Sequence, residues 1–146
     1  MNETMVPEPY LEVRRWRLHD THTGKTHTFK GQLIGAATSQ RTEHNHEGVR
    51  ADFGAPPCHA CRWFEVRIIM TIDDEYVVSY EGFTTFEREN HRSTVHRTRS
   101  PHTVIEHLTQ VRNREMFIPR TSRLALSEAA GRDDGMERAW IDRVVA

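Results

Sequence analysis

The sequence predicts an α+β fold: an antiparallel sheet of about five strands, followed by about three C-terminal helices packed on one face. Three observations predict it. Between Trp63 and Ile72, Phe64, Val66, Ile68, Met70 and Ile72 alternate with Trp63, Glu65, Arg67 and Thr71. That period of two marks a strand with one buried face. Beyond Ser100 the period lengthens, and Val104, Ile105, Leu108 and Val111 fall on one helical face. Finally, the strand-like segments all precede the helix-like ones, whereas a parallel α/β sheet would alternate them.

Taken in order, residues 1–9 read as a flexible arm broken by Pro7 and Pro9, and 10–146 as a single domain. Leu11 to His19 and Lys25 to Ile34 form a hairpin around the turn formers Asp20-Thr21-His22-Thr23-Gly24. Residues 35–61 form a polar loop rich in histidine and carrying both cysteines; a loop this long needs a reason to exist inside a compact domain. The Trp63 strand turns at Asp73-Asp74-Glu75 and returns over Tyr76 to Thr85, and a further strand follows from Arg92 to Arg99. Ser100-Pro101 places a capping hydroxyl before proline at the first helical position. A short extended stretch, Met116 to Pro119, precedes a helix from Ser122 to Ala130 that Gly131 stops. Asp134 and Glu137 form a capping box for a last helix, which buries Met136, Trp140 and Val144.

With 146 residues the chain has the size of one domain. A mean hydropathy of -0.71 demands a core drawn from a few well-patterned segments. The net charge of -1 predicts no general attraction to nucleic acid or membrane. No apolar run is long enough for a bilayer, and the acidic start lacks the features of a signal peptide. The expected location is therefore cytoplasmic, where the two cysteines stay reduced.

One segment could carry chemistry. His44 and His46 precede the pair Cys58-His59-Ala60-Cys61. Two imidazoles and two thiolates are the tetrahedral set that zinc prefers, so His44, His46, Cys58 and Cys61 are candidate zinc ligands. His59 could replace either histidine. The bland alternative is two reduced cysteines packed as small apolar side chains, with solvated histidines. A redox pair would sit at a helix N-terminus, and this one precedes a strand. Four available ligands point to a closed structural site. A metal-dependent hydrolase or nuclease, with Glu43 or Glu47 as base, is the alternative for the same residues.

A second candidate is the arginine-rich stretch that ends at a helix start. Arg92, Arg97 and Arg99 could bind an anion there, or they could be the charged decoration of an edge strand. His19, Asp20, His22 and His27 crowd the first turn; they could hold a metal, although turn chemistry alone accounts for the aspartate. Trp16, Trp63, Phe64 and Trp140 belong to the core or its rim. The chain shows no glycine-rich phosphate loop and no nucleophile elbow.

The run Cys58-His59-Ala60-Cys61-Arg62-Trp63-Phe64-Glu65-Val66-Arg67-Ile68, with the helical tail from Phe117 to Val145, resembles uncharacterised small proteins of actinobacteria and their phages. That resemblance brings no function with it, though it implies a phage or mobile-element accessory role. The sequence as a whole leads to a non-catalytic interaction module, zinc-stabilised, whose partner is a host protein or a nucleic acid.

Overall fold

The computed structural model describes residues 12–39, 62–86 and 88–145. The expected arm at 1–9 and the candidate ligands His44, His46, Cys58 and Cys61 lie outside the described residues. Five strands, β1 (Val13–His19), β2 (Thr26–Thr38), β3 (Arg62–Thr71), β4 (Tyr76–Thr84) and β5 (Arg92–Thr98), form an antiparallel sheet in sequence order. Then come α1 (Pro101–Leu108), a ribbon of β6 (Gln110–Arg112) and β7 (Glu115–Phe117), α2 (Arg120–Ala130) and α3 (Asp134–Val145). The α+β class and the helices after the sheet are as the sequence predicts.

The β3 pattern predicts one buried face, and the structure buries both. Ile68 and Ile69 of β3, and Val77 and Val78 of β4, are all fully buried. Neighbours in a strand point to opposite faces, so each pair feeds two cores. On one face Ile34, Val66, Ile68, Tyr76 and Val78 pack against Val104, Ile105 and Leu108 of α1, Ala125, Leu126 and Ala129 of α2, and Met136 and Ala139 of α3. On the other face Trp16, Phe29, Leu33, Ile69, Val77 and Val95 gather from all five strands. Such a cluster requires the sheet to curl around it.

The curl is laced where β1 ends. Asp20 is buried, and its carboxylate accepts from the backbone N–H groups of His22 (2.8 Å), Thr23 (2.9 Å) and Val95 (3.0 Å). Thr21 N–H donates to the Ser93 carbonyl at 2.9 Å, and Ser93 N–H donates back to the Thr21 hydroxyl at 2.9 Å. One carboxylate thus shapes the β1–β2 turn and ties it to β5.

Strand β2 runs to Thr38, so the expected loop begins later than Gly35. The register between β2 and β3 shifts between Leu33 and Gly35. That bulge sends Ile34 into the helix-side core. Gly35 then lies directly beneath α2; a Cβ there would stand 2.3 Å from the Ala125 carbonyl oxygen.

Three expectations about the helices need correction. α1 is capped by Ser100, whose hydroxyl accepts from Thr103 N–H at 3.3 Å, but it ends at Leu108. Val111 therefore lies in β6, 69% exposed, because the ribbon leaves the core. The cap of α3 is Asp133 and not Asp134: its carboxylate accepts from Met136 N–H at 2.9 Å and from the Tyr76 hydroxyl at 2.5 Å. That helix buries Met136 and Ala139 and half-buries Trp140, while Val144 is exposed, because only the start of α3 lies over the sheet core. Gly131 does stop α2, with an ordinary right-handed φ of -72°.

Candidate functional site: an arginine and aromatic cleft

A cleft of about 660 Å³ opens at the end of the β3–β4 pair, beside the start of β5. Register puts aromatic rings there. Trp63 faces Phe83 across the strands, and their rings stack with centroids 5.2 Å apart and planes 10° from parallel. His91 meets Phe83 edge-on at 5.0 Å. On the opposite face Phe64 stacks on Tyr80 at 5.0 Å. Consecutive residues of one strand thus feed two aromatic pairs, and both pairs line the same opening.

Charge is unevenly distributed around those rings. Among the described residues, Arg62, Arg88 and Arg92 line the cleft against a single carboxylate, Glu89. Arg62 grips Glu89 through Nε at 2.9 Å and Nη2 at 2.5 Å, and its guanidinium lies 4.2 Å from the centre of the Phe86 ring. Thr84 donates to the same carboxylate at 2.7 Å. The hydrogen bonds from Arg62 and Thr84 hold the Glu89 carboxyl down to about 2. Arg88 and Arg92 are exposed and make no ion pair among the described residues. They are the cations a ligand would meet first.

The three arginines predicted to bind an anion do not converge. Arg92 is at the cleft end of β5. Arg97, near the other end, donates to Glu75 at 2.7 and 2.9 Å and lies over the Phe29 ring. Arg99 donates to the Asp73 carbonyl at 3.0 Å. Both are engaged with the β3–β4 turn. The first-turn residues are likewise structural: Asp20 serves three backbone donors, His27 is buried, and His19 Nδ1 is 3.0 Å from the Thr26 hydroxyl. Among the described residues no three of His, Cys, Asp and Glu are grouped to hold a metal.

Sequence reasoning missed Arg62, Phe83, Arg88 and Glu89. The available signal was Arg62-Trp63-Phe64 on one strand facing Phe83 on its partner, an interleaving of cations and rings that becomes visible only once register is known.

Beyond the cleft, the Tyr80 hydroxyl faces the side chain of Gln110, the first residue of β6. Burial raises the Tyr80 hydroxyl above its ordinary value. Nearby on β5 and α1, the His96 and His107 rings stack at 4.7 Å. Desolvation, and then the charge of His96, lower the His107 imidazole, although the residue stays exposed.

No helix is long and apolar enough to cross a membrane among the described residues. Compared with models of known protein families, with curated proteins and with solved structures, the chain finds no match in any of the three.

Proposed function

We propose that this chain is a non-catalytic binding module, and that its cleft takes an anionic ligand carrying a flat ring, the chemistry of a nucleotide. One observation carries the reading: among the described residues, three arginines and one glutamate surround stacked aromatic side chains in an opening of about 660 Å³. That volume suits a small ligand or one unit of a larger one. Guanidinium groups match phosphate oxygens in pairs, and aromatic walls match a base. Among the described lining residues nothing resembles an acid–base pair, since Glu89 is held as an anion by Arg62 and Thr84.

Arg92 is the test residue because it is exposed and outside the Arg62–Glu89 pair. A fluorescent adenosine monophosphate should bind the native chain, and Arg92→Ala should weaken it about tenfold, the worth of one charge-assisted hydrogen bond. Saturable binding that is indifferent to Arg92, or no binding at millimolar nucleotide, would reject the cleft as the site.

The reading extends to a structural zinc ion held by His44, His46, Cys58 and Cys61. The support is the ligand chemistry and spacing in the sequence.

A further inference from the structure

We infer that the β6–β7 ribbon is a second contact surface for the same ligand, which is therefore a single-stranded nucleic acid and not a free nucleotide. The inference rests on the proposed role of the cleft and extends it.

Continuity is the first support. Tyr80 lines the cleft, and its hydroxyl faces Gln110, where the ribbon begins. A strand leaving the cleft past Tyr80 would meet β6 next.

Charge is the second. Between Gln110 and Arg123 stand Arg112, Arg114, Arg120 and Arg123 against one acid, Glu115. All four arginines are exposed, and none makes an ion pair among the described residues. Arg67, by contrast, bridges Glu65 and Glu81, and Arg97 holds Glu75. Glu115 faces Arg112 across the ribbon, which leaves an excess of exposed arginine in one short segment of a chain with net charge -1, a local surface for a polyanion. The start of α2 adds to it, because no side chain caps that end and no acid occupies its first turn.

Shape is the third. Asn113 and Arg114 both have positive φ, 53° and 68°, the signature of a mirror-image hairpin turn. That turn puts Arg114 at the apex. Val111 and Met116 are directly opposed on the ribbon, each 69% exposed. An apolar pair with Arg112 next along the strand and Arg114 at the apex suits a base and its phosphates together. Unpaired bases are required, because the cleft can stack only a base whose face is free.

The experiment measures anisotropy of fluorescein-labelled oligothymidylates of roughly 4, 8 and 16 nucleotides, a range that covers usual single-strand site sizes. Adenosine monophosphate is run in parallel as the cleft probe. Affinity should rise with length. The double variant Arg112→Ala/Arg114→Ala should weaken the longest oligonucleotide about tenfold or more and leave the mononucleotide unchanged. It should also reduce the slope of log affinity against log salt by about 1.4, two contacts at about 0.7 each. Arg114→Glu, at an exposed turn, should weaken the long oligonucleotide further, and an unchanged melting midpoint shows that each variant is folded. If affinity is independent of length, or the ribbon variants bind like the native chain, the ribbon inference fails while the cleft reading stands. Absence of both oligonucleotide and mononucleotide binding rejects the two together. Polyglutamate that displaces the oligonucleotide with equal affinity, through the same ribbon arginines, would mean that the partner is an acidic protein and would overturn the nucleic-acid assignment.

Discussion

Asp20 shows how one side chain can serve several levels of structure. The sequence marks it as a turn residue, and it is one; its capture of Val95 N–H, 75 positions away, leaves no trace in local pattern. Burial alone would raise its carboxyl, but the hydrogen bonds from Val95, Thr23 and His22 outweigh that and hold it below the ordinary value. His27, which is buried, and His107, which is exposed but stacked on His96, are also held below theirs, both first by desolvation. All three shifts have the same sign for folding: the unfolded chain takes up protons more readily. The histidine contribution is complete above about pH 6.5 and is lost as pH falls through the lower folded values. That of Asp20 is complete above about pH 4 and is lost below it. Urea midpoints measured from pH 8 to pH 3 should therefore fall in two steps, and His27→Gln should shrink the first. A midpoint that rises between pH 7 and pH 5 would contradict these placements.

Among elements, the contrast between β3 and the helices explains what was legible. The period of two in β3 is strong, and Ser100-Pro101 is a start signal that works locally, so both are readable without a partner. The second buried face of β3 was not, because Ile69 is a single apolar break in the polar phase of Glu65, Arg67 and Thr71, and the residues that cover it, Trp16, Phe29 and Val95, arrive from other strands. Val111 fits the helical period of α1 yet belongs to the ribbon; the helix ends at Leu108, and Thr109 continues in extended backbone. The cleft was the least legible part, since it depends on register between β3 and β4. Gly35 gives the sharpest test at this scale. Its missing side chain lets β2 and α2 approach until a Cβ would lie 2.3 Å from backbone oxygen. Backbone cannot rotate away as a side chain can. Gly35→Ala should cost about 1–3 kcal/mol by overpacking, read from denaturant unfolding. A neutral result would mean that α2 moves freely over the sheet.

At the scale of the whole molecule, a net charge of -1 conceals an uneven arrangement. Glu65, Glu75 and Glu81 are taken up by Arg67 and Arg97, while Arg88, Arg92, Arg112 and Arg114 are left to the surface. Composition averages over that separation, which is why it predicted no partner. The proposed zinc ion belongs to this scale too, since a structural ion contributes to global folding. Protein purified without a histidine tag should carry about one zinc per chain, and less than about 0.2 would sink the proposal. The lacing of β1 to β5 has a further consequence, in time. Every strand pairing in the main sheet joins strands adjacent in sequence, whereas this lacing links the turn after the first edge strand to the last strand and closes a loop that spans most of the sheet. Long closures cost the most chain entropy and are repaid last. The meander can thus assemble strand by strand while Asp20 waits for β5. Losing that carboxylate would act chiefly on how fast the native state opens, and little on how fast it forms.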